Sequence, residues 1–178
     1  AAWLAYDSYD FKPPYNKISA TTLLKSPRQI ILTNRALEQN VETITDVTDL
    51  AASRKGTAIH DDIEKFWTSG NYKLALAKLG YKDSIIDKIK INPKTSELQE
   101  NDIPVYFEKR SNKDFLGFEI SGKFDIVFNG QLIDHKNTTT FSYGNPSKAE
   151  NYKLQGSIYK WLNPDIIKSN TICINYLF

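Results

Sequence analysis

Two aspartates and a lysine close together in this chain have the types and spacing to hold a cation and handle a phosphate. Asp125 lies in Lys123-Phe124-Asp125-Ile126-Val127-Phe128, while Asp134 and Lys136 lie in Gln131-Leu132-Ile133-Asp134-His135-Lys136. Between the two apolar runs stands Asn129-Gly130, a strong signal for a two-residue hairpin turn because both of its positions need positive φ. That turn pairs Phe128 with Gln131, Val127 with Leu132, Ile126 with Ile133, and Asp125 with Asp134. Alternation along the strands then predicts one face carrying Lys123, Asp125, Val127, Leu132, Asp134 and Lys136. The other face takes Phe124, Ile126, Phe128 and Ile133.

Directly opposed carboxylates repel, and burial adds a desolvation cost. A hard divalent cation with oxygen ligands, Mg²⁺ or Mn²⁺, would relieve both. The same residues also fit a solvated hairpin face on which Lys123 and Lys136 are ordinary counter-charges.

The whole chain must supply a scaffold for this hairpin. Its 178 residues are 40% hydrophobic and 12% aromatic, enough for one domain with a sizeable core. The 23 basic and 21 acidic residues leave a net charge of +2, so any nucleic-acid footprint must be local. The lone Cys173 excludes an internal disulfide and any cysteine-built zinc or iron–sulfur site, and fits a reducing compartment. No apolar run approaches the ~20 residues of a membrane span, and the N-terminus lacks a secretory-signal layout. The expectation is a soluble intracellular protein, cytoplasmic or nucleoid-associated. The chain starts at Ala1, contains no methionine and stops in an apolar run, which leaves open whether it is an excerpt of a longer protein.

Along the chain, residues 1–18 read as an extended arm with Trp3, Tyr6, Tyr9, Phe11 and Tyr15 around Pro13-Pro14. A helical part spans 19–92. In it Ser19 caps a helix over about 20–38 that Pro27 breaks or kinks, Asp49 caps a longer helix to about Ser69, and shorter helices occupy 71–79 and 83–90. The stretch 103–178 holds the sheet: strands at Val105–Phe107, at Phe115 to Phe128 and at Gln131 to Lys136. A polar stretch over 137–148, a helix over about 149–162 ended by Asn163-Pro164, and a strand at 171–177 complete it. Together these elements give an α/β fold of α+β character, a central mixed sheet with an antiparallel hairpin flanked by helices.

Gly122-Lys123-Phe124-Asp125 followed by Ile133-Asp134-His135-Lys136 resembles the signature of PD-(D/E)XK nucleases. More narrowly, the chain is similar to their RecB-like exonuclease branch. Gln155-Gly156-Ser157-Ile158-Tyr159 resembles that branch's Gln-x-x-x-Tyr helix, and the stretch Gly56 to Glu64 resembles the helix carrying its metal-binding histidine, here His60. Ile18-Ser19-Ala20-Thr21 and Pro27-Arg28 resemble its opening helix, and Glu108 matches the acidic residue of the preceding strand. The resemblance covers about residues 18–160. It departs at Ser26, where some relatives have an iron–sulfur cysteine, so no such cluster is expected.

The resemblance implies a restriction-endonuclease-like core and a Mg²⁺- or Mn²⁺-dependent deoxyribonuclease using one or two ions. Asp125, Asp134 and the His135 backbone carbonyl would be ligands, with His60 and Glu108 completing the shell. Lys136 would orient water or stabilise charge at the phosphate, with Lys123 adding to the field. Gln155 and Tyr159 would act catalytically by holding Lys136 or the phosphate backbone. Each residue has a plainer reading: His60 hydrogen-bonded to Glu64, Glu108 on a solvated strand, and Tyr152, Gln155 and Tyr159 as a core stripe. Arg28, Arg35, Lys148 and Lys153 are candidate phosphate contacts, and Phe141 and Tyr143 candidate base-stacking rings. The expected function is an exonuclease acting on DNA ends or single strands in recombination, repair or phage genome processing, with a helicase or recombination protein as partner. Alternatives are a structure-selective or restriction-type endonuclease, and an inactive nuclease-like domain kept for DNA or partner binding.

Overall fold

Residues 103–128 build one long, bent antiparallel ribbon, and the bend organises the rest of the chain. The computed structural model describes residues 16–39, 41, 46–138, 143 and 146–178. In chain order the elements are β1 (Lys17–Ser19), α1 (Pro27–Glu38), α2 (Val47–Thr68), α3 (Tyr72–Lys78), α4 (Asp83–Ile86), β2 (Ile89–Ile91), β3 (Ile103–Phe107) and β4 (Arg110–Phe115). β5 (Phe118–Lys123), β6 (Ile126–Phe128), β7 (Gln131–Asn137), α5 (Pro146–Leu162) and β8 (Ile172–Leu177) follow. The α/β character is as expected, but the strands form two mixed sheets rather than one: β2-β3-β6-β7-β8 and β1-β5-β4.

One ribbon serves both sheets. Phe107 faces Ile126 in the larger sheet and Arg110 faces Lys123 in the smaller, so the register runs on through the gap and sets Glu108 opposite Asp125. Two backbone hydrogen bonds bridge the gap, from Glu108 N–H to the Asp125 carbonyl at 2.9 Å and from Phe124 N–H to the Lys109 carbonyl at 3.3 Å. Glu108 has φ 46°, a left-handed conformation that a regular strand does not contain, so the ribbon turns there from one sheet into the other.

The expected strand from Phe115 to Phe128 is therefore two strands, β5 and β6. The sequence reading also has no strand at β4, which a second two-residue turn, Leu116-Gly117 with φ 50° and 84°, joins to β5. Asn129-Gly130 forms the expected turn, with φ 47° and 82°, and β6 and β7 pair in the expected register from Phe128–Gln131 to Ile126–Ile133. The ladder ends there. Asp125 and Asp134 do not pair, because Asp125 belongs to the bend.

The helices differ from expectation in ways their ends explain. Lys17–Ser19 is a strand parallel to β5, and the Ser19 hydroxyl accepts from Thr22 N–H (3.0 Å), the first residue of only a short 3₁₀ turn whose N-cap is Thr21. Pro27 marks the expected break and starts a new helix there, because Ser26 and Gln29 form a reciprocal capping box and proline suits the first turn. Helix α2 begins at Val47, ahead of Asp49, and α5 begins at Pro146. Ile89–Ile91, read as helix, is a strand parallel to β3. Among residues 1–18, only 16–18 lie within the described residues.

The larger sheet is covered on both faces. Phe124, Val127, Leu132 and Tyr106 pack with Tyr159, Ile166 and Ile167 on the α5 side. Val105, Phe107 and Ile126 pack with Tyr72, Ile86 and Ile89 on the other, joined by Ile63 and Trp67 of α2. The bend also corrects the expected faces: Phe124 lies with Val127 and Leu132, not with Ile126. No helix among the described residues is long and apolar enough to cross a membrane.

Candidate metal centre

Helix α2 aims His60 at the bend. His60, Ile63 and Trp67 fall on one helical face, and the last two are anchored against the sheet, so the imidazole meets the strand ends. His60 Nε2–H donates to the His135 carbonyl oxygen at 2.9 Å. In the neutral ring that leaves Nδ1 with its lone pair, 3.6 Å from Asp125 Oδ2 and 3.9 Å from Glu108 Oε1. The three ligand atoms all lie within 4.8 Å of one another. Atoms about 2.0–2.6 Å from a shared cation cannot be more than about 5 Å apart, so the cluster has the span of a coordination shell. Between these residues and Glu64 the structure leaves a cavity of ≈ 10 Å³, room for one small occupant.

The His135 peptide orients two of the three groups. Its carbonyl fixes His60, and its N–H donates to Asp125 Oδ2 at 3.3 Å. The remaining group, Glu108, is set by the left-handed backbone of the bend, and its Oε2 forms an ion pair with Lys123 Nζ.

Asp134 and Lys136 form a second cluster beside the first. The Asp134 carboxylate is buried, 4% exposed, with Lys136 Nζ at 2.9 Å from Oδ1 and 2.7 Å from Oδ2. The same ammonium lies 5.5 Å from the centre of the Tyr152 ring. So the structure joins Asp125 with His60 and Glu108, where the sequence reading joined it foremost with Asp134.

Asp134 still acts on Asp125 through space. Burial and then the Asp134 charge push the Asp125 carboxyl up to about 7, against the opposing pull of His60 and Lys136. Burial, with His60 nearby, lowers His135. Glu64 is raised by burial and by Glu108. In the sequence Glu64 figured only as a partner for His60. Its place one turn beyond His60 on the same helix was the signal for a role at this centre.

Gln155 and Tyr159 are brought together on α5, where the Gln155 amide donates to the Tyr159 hydroxyl at 2.9 Å. Both are buried, and Tyr159 packs in the core with Phe124 and Leu132. Arg28 and Arg35 lie on the exposed α1, while on α5 Lys153 pairs with Glu150 at 3.5 Å. Tyr143 meets the rings of Tyr176 and Phe178, and Phe141 lies outside the described residues. Tyr176 was missed, although its strand was expected, because only the parallel β7–β8 register puts it beside Lys136.

Comparison with protein-family models finds no match, and comparison with curated proteins finds no significant one. Among solved structures, the crystal structure of SSO0001 aligns over 87% of this chain at 18% identity, with a TM-score of 0.45. The chain spans 60% of that protein's length.

Proposed function

We propose that this chain is a metal-dependent nuclease that hydrolyses DNA phosphodiester bonds, acting on ends or single strands inside the cell. The observation that supports it is the convergence of His60, Glu108 and Asp125 within 4.8 Å, beside the buried Asp134 and its half-buried partner Lys136. The donor set is two carboxylates and one imidazole, which suits Mg²⁺ or, with its nitrogen, Mn²⁺. Burial of a carboxylate among like charges, as at Asp125, is the arrangement that a cation relieves.

When bound, a divalent cation would polarise a phosphate oxygen and acidify a coordinated water. The chain's own groups do the rest. Asp125, Glu108 and His60 would hold the cation, and the His135 peptide would keep His60 and Asp125 in place. Lys136, fixed between both Asp134 oxygens, would meet the negative charge that grows on the phosphate as water adds to phosphorus. The departing ester oxygen leaves with a proton, so one water is consumed per bond cut.

The test incubates the protein with linear and closed-circular DNA, single- and double-stranded, in Mg²⁺, Mn²⁺ or EDTA. Metal-dependent cleavage that is lost in Asp125→Asn is the expected result. No cleavage of any substrate overturns the reading, while cleavage of closed circles shows an endonuclease in place of an end-dependent enzyme.

A further inference from the structure

Along β8, Ile172, Ile174 and Tyr176 are half-buried while Cys173, Asn175 and Leu177 are exposed, so one face carries Tyr176 and continues to Phe178. The parallel register pairs Tyr176 with Lys136 and Ile174 with Asp134, which puts the aromatic face in line with the buried Asp134 and its half-buried Lys136. The ring of Tyr152, reaching down from α5, stands 6.5 Å from that of Tyr176 and 5.5 Å from Lys136 Nζ. Beyond Tyr176 the Phe178 ring is nearly parallel to it, at 9° and 6.4 Å, and Tyr143 closes edge-on at 5.1 Å. Phe178 and Tyr143 remain 69% and 66% exposed.

A row of four rings that begins beside a half-buried ammonium and leads to two exposed rings is not accounted for by core packing. Exposed rings of this kind mark a binding surface. Three of the four are tyrosines, amphipathic planes suited to a half-wet contact. Lys148, four residues before Tyr152 on α5, adds a cation on the same helical face. An apolar protein partner would not need the ammonium, and a duplex, with its bases stacked inside, would not use the rings. Unpaired nucleobases on a phosphodiester backbone use both.

We infer that Tyr152, Tyr176, Phe178 and Tyr143 form a stacking track for the unpaired bases of a single strand whose phosphate lies at Lys136. The inference rests on the nuclease reading for the place of that phosphate, but it is tested by binding alone. The rings carry affinity without base identity, so the track selects single strands over duplexes and not one sequence over another.

The test measures fluorescence anisotropy in EDTA, where no metal-dependent cut occurs, with a labelled single-stranded oligodeoxynucleotide of roughly 12 nucleotides. The other probes are the same strand with abasic positions and a duplex of equal length. For wild type, the abasic strand and the duplex bind more weakly than the intact strand. Tyr176→Leu and Phe178→Leu each weaken binding of the intact strand by roughly fivefold or more and no longer distinguish it from the abasic one, whereas Tyr176→Phe binds as wild type. Phe178 is exposed enough to be replaced without unfolding, and a thermal melt checks both variants. Equal binding of intact and abasic strands by wild type overturns the track, as does unchanged binding by Phe178→Leu. Cleavage in Mn²⁺ is scored separately. The binding pattern without cleavage upholds the track while the nuclease reading fails, and cleavage without the pattern does the reverse.

Discussion

Glu108 stands opposite Asp125 at the bend of a single β-ribbon, their backbones joined by the Glu108 N–H to the Asp125 carbonyl at 2.9 Å. The bend costs about 1 kcal/mol in left-handed backbone at Glu108, and it points two carboxylates at one histidine. Such strain persists where the surrounding fold over-determines it, and here the two sheets do so.

Asp125→Asn removes a charge that the metal-free protein holds at a cost. In EDTA at pH 8 the variant is expected to melt at a higher temperature than wild type. Mn²⁺ should raise the melting temperature of wild type and leave the variant's nearly unchanged. A variant that melts lower in EDTA would show that Asp125 is stabilised by its hydrogen bond and by His60 more than it is opposed by Asp134 and Glu108.

The Asp125 carboxyl, about 7 in the fold against 3.8 for the free group, makes metal-free stability depend on pH. The folded state keeps a proton that the unfolded chain has lost, so the contribution is full below the unfolded value and disappears as pH rises through about 7. Chemical denaturation in EDTA should therefore show stability falling between pH 5 and 8 in wild type, with a flatter profile in Asp125→Asn. A cation competes with that proton, so the stabilisation given by Mn²⁺ should grow over the same range.

Lys136→Ala leaves His60, Glu108 and Asp125 in place and removes the ammonium that lies against both Asp134 oxygens. The expected result is a loss of DNA turnover by about a hundredfold or more, with the Mn²⁺ melting shift largely kept. Loss of that shift together with turnover would instead make Lys136 a support for the metal cluster.

What was legible in the sequence is what local chemistry dictates. Asn129-Gly130 demands positive φ at both positions, and this fixed the turn and the register behind it. The helical spacing of Ile59, Ile63, Phe66 and Trp67 marked the helix that is α2. The bend was not legible, because nothing in Glu108-Lys109 marks a left-handed residue, and the constraint comes from strands that leave one sheet for another. For the same reason alternation misplaced Phe124 and paired Asp125 with Asp134. Ile89–Ile91 is too short to be told from the end of a helix, and only its pairing with β3 makes it a strand. The Ser26–Gln29 capping box, by contrast, is readable in the sequence and decides for a break at Pro27 over a kink.

Gly122 tests how closely α5 must seat on the ribbon. A Cβ there would lie 2.6 Å from Leu162 Cδ1 and 3.0 Å from two atoms of the Tyr159 ring. Leu162 can swing its methyl aside, but the Tyr159 ring is buried and bonded through its hydroxyl to Gln155. Gly122→Ala should destabilise by about 1–3 kcal/mol through overpacking. Leu162→Ala alone leaves a cavity and also destabilises. Because the added methyl and the removed one occupy adjoining space, the double variant should be more stable than the two separate losses predict. Additive losses in a double-mutant cycle would mean that the Tyr159 ring alone sets the approach of α5.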